Sequence, residues 1–519
     1  MSRAFDSVVI GASADGLVAA TVLAAARRRV LVLEAAREPG GTLAEIEFVP
    51  KFRAAPLAPD LGHVHPGVLR ATGAVLPAAI APESCVVGLG EGGPLSIGRT
   101  PSATAEGLKR FSPKDAAAWP AFAAEMHALA RFLGQLLRRP AVAIDGRGAG
   151  EALSLAGLGL RYRSLGRRGM TELLRTLPMA LADLLDDRFE GDRLKGLLAA
   201  IGTSDLPQGP MGGGTALALL HRHVGAAAGV FGERLRLQTG GRALLNAFAE
   251  RARAAGAAIE TGARVARILV REERAAGVVL GSGEEIVCRE VISAAGVGHT
   301  LLELVDPLHL DTEFIDALRH IRYRGVTSHV LLGLNGLPAI PGATGAPAAS
   351  YWIAPSLRYV ERAHDAAKYG RASEEPVIEL RFPSVSQTHL APPGMHVATL
   401  RVQYTPWQLR DGDWSAAGEA MADRAIAAVE RAVPGLRSRI VHRAVLTPRD
   451  IEARYALPEG AVSRGEVALD QLFFMRPVAG WGRHATPVPG LFLCGAGTHP
   501  GPGLTGLSGL LAARAALPR

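Results

Sequence analysis

The chain has 519 residues, 48% of them hydrophobic and 20% charged, which supports a large folded core and excludes a disordered tail or a disulfide-stapled miniprotein. At roughly 150 residues per domain, the length predicts three domains or two interleaved ones. Its net charge of +8 comes from scattered arginines with only 5% aromatic residues among them, a pattern that argues against nucleic acid and leaves a solvated basic surface or contact with anionic lipid.

The first predicted unit is a buried strand at 7–10, a tight turn at 11–16, an alanine-rich helix at 17–26 and a second strand at 30–33 ending at Glu34. A secretory signal is not expected there, because Asp6 precedes the apolar run, Asp15 interrupts it and three arginines, Arg27 to Arg29, close it. Strand, turn, helix, strand and acid in register are the grammar of a dinucleotide site. Gly11 permits the sharp turn, Gly16 lets the helix pack on the sheet, and the helix start offers free N–H groups and positive dipole to a pyrophosphate. Glu34 is spaced to accept from an adenosine ribose and disfavours a 2′-phosphate. Ser13 stands where a middle glycine is usual, so its Cβ takes room the phosphates would use while its hydroxyl can donate to them. Asp15 either caps the helix or repels the pyrophosphate.

Further along, His63 and His65 form an HxH pair, but no neighbouring acid or cysteine cluster completes a metal site, and none is expected. Cys85, Cys288 and Cys494 are far apart, which argues against disulfides and for a reducing compartment, the cytoplasm. A helix is predicted at 113–137 with Ser112 as cap and Pro113 in the first turn. Residues 160–189 read as a helix kinked at Pro178, with Arg161, Arg163, Arg167 and Arg168 ahead of an apolar face from Met170 to Leu185. That face packs on a core or lies on anionic lipid. His221-Arg222-His223 and Gln387-Thr388-His389 read as structural.

A second α/β stretch opens at Gly240-Gly241, with a helix at 243–255 and short strands at 258–260, 265–270, 277–280, 285–288 and 291–295. Alternating segments at 327–334, 377–382 and 396–404 and a helix at 416–432 predict an antiparallel sheet with helices. The chain closes on a buried strand at 491–494, a glycine-rich loop at 495–506, and a helix at 509–517 capped by Ser508.

The run Glu34-Ala35-Ala36-Arg37-Glu38-Pro39-Gly40-Gly41 follows the acid, Leu469-Asp470-Gln471-Leu472-Phe473-Phe474-Met475-Arg476-Pro477 comes late, and Gly490 to Gly501 spells GLFLCGAGTHPG. With these, the chain resembles the FAD-binding oxidoreductases of the phytoene desaturase and carotenoid isomerase type, and among them the pyridine nucleotide-disulfide oxidoreductase domain-containing relatives. The resemblance covers nearly the whole chain. It implies an α/β fold: one FAD in a Rossmann-like domain of the glutathione reductase type, assembled from residues 1–65, 236–298 and 485–519. An inserted α+β substrate domain, residues 66–235 and 299–484, would carry a helical membrane-facing portion. It implies that Gly11, Ser13, Gly16, Glu34, Arg37 and Gly41 hold adenosine and pyrophosphate, that the Val265 backbone holds adenine, and that Gly495, Thr505 and Gly506 hold the flavin end. Leu507 to Leu511 and Leu235 to Thr239 depart from the family pattern, so flavin contacts there are open.

The activity implied is transfer of hydrogen at a carbon–carbon bond of an apolar, isoprenoid-like or acyl substrate, drawn from an anionic membrane at its inner face. An isomerase using reduced FAD without net oxidation is the second reading, and a scaffold that has lost its cofactor, for which Ser13 and Asp15 speak, is the third. Three residues are candidates for chemistry: His499 as acid or base or as a structural hydrogen-bonder, Arg476 as a partner of flavin, of an acidic substrate group or of Asp470, and Tyr404 as proton donor or packed aromatic. Oligomeric state is not set by the sequence.

Overall fold

The computed structural model describes residues 3–58, 60–81, 84–142, 149–227, 230–343 and 347–518. Five strands, in the order Leu491–Leu493, Glu290–Ser293, Ser7–Ile10, Val30–Glu34 and Ala258–Thr261, form one parallel sheet drawn from widely separated parts of the chain. The central strands are buried on both faces, which is why they read as continuous apolar runs rather than alternating ones. Alternation still decides which layer each residue joins. Val9 and Val32 face the helices Ala14–Ala25, Gly240–Ala254 and Leu507–Ala516, whereas Val8, Ile10, Leu31 and Leu33 face an antiparallel ribbon of Val265–Arg271, Arg274–Leu280 and Glu285–Val287.

The second sheet has seven strands, ordered Ile440–Leu446, Thr327–Leu334, His396–Gln403, Val377–Arg381, Tyr351–Ile353, Ser84–Leu89 and Leu95–Gly98. All its pairs are antiparallel except Tyr351–Ile353 with Ser84–Leu89, so the expected antiparallel sheet is a mixed one. Val330, Leu332, Ile378, Leu380, Leu400 and Val402 pack under the helix Trp414–Ala432. The opposite face carries His329, Glu379, Arg381, Arg401 and Gln403, all buried or nearly so. Charged residues on the inward face of a central sheet are costly unless paired, and here they line a cleft.

The Ser112-capped helix is Pro113–Leu137 as its signals predict, with the Ser112 hydroxyl accepting from Asp115 N. Three expectations change. The first helix starts at Ala14 rather than 17, because Ser13 is its N-cap and Asp15 and Gly16 already lie in its first turn. The 160–189 stretch is not one kinked helix: Ala149–Ser164 and Gly166–Thr176 are separate, and Pro178 falls in a break before Leu181–Asp186. The final helix begins at Leu507 behind Gly506 and takes no cap from Ser508, whose hydroxyl accepts from Gly495 N and bonds Thr498 Oγ1. Among the described residues no helix is long and apolar enough to cross a membrane.

Candidate functional site

The turn between the first strand and helix is built by close backbone approach. A Cβ on Gly16 would lie 2.0 Å from the Gly11 carbonyl oxygen, and Gly11 itself has φ +94°, so both positions require glycine. Ser13 has φ −72° and ψ 171°, an extended conformation that costs a serine nothing, and its hydroxyl accepts from Gly16 N at 3.4 Å. Gly41, at φ +58°, faces it; a side chain there would meet Ser13 Cβ at 3.3 Å. Glu34 is held by two backbone donors, Ala12 N at 2.7 Å and Ala36 N at 2.9 Å, one on each oxygen, which leaves further lone pairs on the carboxylate. Arg37 is exposed, and Val265 begins the antiparallel ribbon with its side chain buried.

Asp15 does not cap its own helix. Its carboxylate accepts from Gly509 N at 3.1 Å, so it caps the C-terminal helix across the interface between the two helices rather than its own. Burial raises its pKa to about 6, against the amides of Gly509, Ser508 and Gly506 and the charge of Arg464. Gly506 completes the junction. Any Cβ there would press on Val18 and Val68 at 3.0 Å.

A cleft of about 1260 Å³, open mouth included, runs from Ser13, Gly40 and Thr42 along the loop Gly501 to Thr505 and ends inside the second sheet. Thr505 lies in a short strand, Leu504–Thr505, paired with His63–Val64, and its hydroxyl donates to the Leu61 carbonyl; Gly495 is buried and does not line the cleft, its N–H given to Ser508. The middle of the cleft is apolar, with Leu43, Leu57, Leu61, Leu206, Val467 and Leu504. Its inner end is not. Asp60 pairs with Arg234 at 2.8 Å and Arg381 at 3.2 Å, Asp205 pairs with Arg401 at 2.9 Å, and Arg401 also reaches Glu379 at 3.0 Å. Burial opposes ionisation of Asp60, yet the two arginines outweigh it and hold the carboxyl far below the usual range.

His221 and Arg222, read as structural from the sequence, line this inner end; His221 Nε2 is buried with no hydrogen-bond partner. Asp60, Asp205, Arg222, Arg234 and Arg401 come from separate segments, so no local motif announces them. The available signal was alternation: Glu379, Arg381 and Arg401 occupy one face of strands whose other face presents Ile378, Leu380, Ala398, Leu400 and Val402.

The three candidates for chemistry do not line the cleft. Tyr404 is fully buried and its hydroxyl donates to the Gln208 carbonyl and meets Thr203 Oγ1, so it packs. Arg476 spends its guanidinium on backbone carbonyls, including those of Ala496, Glu466, Gln471 and Ser463, and Asp470 pairs instead with Arg322. His499 Nε2 donates to the Arg139 carbonyl at 2.7 Å, and burial pushes its pKa down to about 4, so it is neutral. Among the described residues, His63 and His65 belong to no group with metal-ligand spacing; Glu361, His364 and Asp365 form the one that has it, and Glu361 already accepts from Met211 N.

Comparison with known proteins bears on this arrangement. Residues 110–332 match the flavin containing amine oxidoreductase family and residues 9–64 an NAD(P)-binding Rossmann-like domain. The chain is 32% identical to pyridine nucleotide-disulfide oxidoreductase domain-containing protein 2 of Mus musculus, covering 98% of this chain and 92% of that one, and 33% identical to its Rattus norvegicus counterpart. A neurosporene-forming phytoene desaturase of Cereibacter sphaeroides is 29% identical over 49% of the chain. In fold, an oxidoreductase from Methanosarcina mazei superposes with a TM-score of 0.60 over 97% of this chain and 99% of its own at 16% identity, and putrescine oxidase bound to putrescine with 0.58 over 99% of each.

Proposed function

We propose, for a chain that belongs to the FAD-dependent oxidoreductase family of pyridine nucleotide-disulfide oxidoreductase domain-containing protein 2, that it oxidises or reduces a carbon–carbon bond in an apolar, isoprenoid-like or acyl substrate. The observation that carries this reading is the cleft itself: the Ser13 turn at one end, apolar walls in the middle and a charged inner end. A glutathione reductase-type arrangement is part of it, supported by the antiparallel ribbon that, in chain order, connects the strands Ala258–Thr261 and Glu290–Ser293 of the parallel sheet and packs on its face.

The residues present fit the cofactor. The first-turn amides behind Ser13, other than Gly16 N, would hold the pyrophosphate, the Glu34 carboxylate has lone pairs left for ribose hydroxyls, and Gly41 keeps the opposite wall clear of Ser13. Arg37 and the Val265 backbone take the adenosine, and Gly495, Thr505 and Gly506 the flavin end. When bound, FAD supplies a hydride-carrying ring, so the protein needs no catalytic triad. Its own part is to exclude water with Leu43, Leu61 and Leu206 and to hold the loop rigid. Arg476 and His499 serve as positioning residues, tying that loop to residues 463–471 and to the end of the Pro113–Leu137 helix.

The substrate's source is a membrane. Leu153, Leu160 and Leu174 project into solvent beside Arg163, Arg167 and Arg168, a combination suited to anionic lipid.

Purified protein should be yellow, with the flavin band near ~450 nm. Lipid extracts from cells with and without the chain should differ by two hydrogens in one species. Colourless protein that ignores added FAD overturns the reading; an unchanged mass with a shifted retention time assigns the isomerase instead.

A further inference from the structure

The inner end of the cleft is more basic than its pairing requires. A second cavity of about 550 Å³ adjoins it and shares Asp60, Arg222, Arg234 and Arg401 with it. The two cavities together are lined by five arginines, Arg222, Arg234, Arg236, Arg381 and Arg401, against three carboxylates, Asp60, Asp205 and Glu379. Three of the arginines are well matched by ion pairs at 3.2 Å or less. Two are not. Arg222 approaches Asp205 only to 3.9 Å, and Arg236 Nε is buried without any hydrogen-bond partner. Burial pushes both guanidinium pKa values down to about 10, the sign of cations whose lost hydration is incompletely replaced. His221, 8% exposed, adds an unpartnered Nε2 on the same side.

A neutral hydrocarbon lying in the cleft would leave these groups as they are, at the full cost of buried, under-compensated charge. An anion would satisfy them. We infer that the second cavity, which meets the cleft at Arg222, is a binding subsite for the carboxylate or phosphate head of the substrate, taken by Arg222 and Arg236, while the apolar middle of the cleft holds its tail. This rests on the cleft being the substrate and cofactor site, and it narrows the substrate class from a hydrocarbon to an apolar acid or phosphate monoester.

The test is calorimetric titration of decanoate, decyl phosphate and decanol into the FAD-loaded protein and into the flavin-free chain. At least one anion should bind 10-fold or more tighter than decanol, and which one does so tells carboxylate from phosphate. Arg236→Gln should abolish that preference without lowering Tm, since no acid loses its partner; Arg222→Gln should weaken it independently. Equal binding of decanol and both anions, or a preference untouched in both variants, overturns the subsite. Failure to bind FAD would sink the redox reading separately, because the anion preference is also measured without flavin.

Discussion

At the scale of single residues, the two departures in the phosphate turn have different consequences. Ser13 adopts a backbone conformation open to any residue, so its cost falls on the ligand and not on the fold. Ser13→Gly should therefore tighten FAD binding several-fold in a fluorescence titration while lowering stability by only a few tenths of a kcal/mol through the weaker cap. Asp15 works in the opposite sense. Its folded pKa of about 6 lies above the ordinary 3.8, so ionisation is disfavoured in the native state. The resulting penalty is absent below pH 4, grows as pH rises through 4 to 6, and is full at neutrality. A shift of this size corresponds to at most ~3 kcal/mol, less at a carboxylate bordering the cleft, where solvent screens it. Asp15→Asn keeps an acceptor for Gly509 N and should raise stability by about 1 kcal/mol at pH 7.5. In denaturant titrations the advantage should disappear at pH 4. An advantage independent of pH would mean that ionisation is not its origin.

At the scale of elements, what was legible depended on whether the signal was local. The Pro113–Leu137 helix carries its own cap and first-turn proline, and the Thr327–Leu334 strand its own pattern, so both ends of each could be placed from sequence. The 160–189 stretch could not, because charge and apolar spacing do not reveal where a helix breaks; Leu173, Leu181, Leu184 and Leu185 are buried while Leu174 is not. Ser508 was misplaced for a related reason. A serine ahead of glycine resembles a cap, but its hydroxyl is claimed by Gly495 N from 13 residues away. Ser508→Ala leaves that buried amide unsatisfied and should cost about 1–3 kcal/mol in denaturant unfolding. The exposed leucines of Ala149–Ser164 support a separate expectation: Leu153→Glu with Leu160→Glu should abolish co-sedimentation with phosphatidylserine vesicles, and wild-type binding should weaken as salt rises. Binding unchanged in the double variant would place the lipid contact elsewhere.

At the scale of the whole molecule, the first two strands of the parallel sheet and the turn between them were legible because a nucleotide site concentrates its demands within about 30 consecutive residues. The inner end of the cleft was not, since Asp60, Asp205, Arg222 and Arg401 meet only after both sheets have formed. The same topology makes a demand on the cofactor. The cleft is walled by Ser13, Gly40 and Thr42 on one side and by Gly501 to Thr505, some 460 residues later, on the other, and Asp15 already ties the two helices behind them. A ligand that binds only the assembled cleft stabilises every segment that builds it, by about 2.7 kcal/mol at a hundredfold excess over Kd. Hydrogen exchange should therefore slow on FAD addition at residues 11–17, 38–43 and 501–509 together, with the same midpoint in a titration. The edge strands Ile440–Leu446 and Leu95–Gly98, which contribute no residue to the cleft, should change less. Protection confined to residues 11–17 would show a nucleotide held by the first turn alone, and the C-terminal loop would then lose its place in the cofactor site.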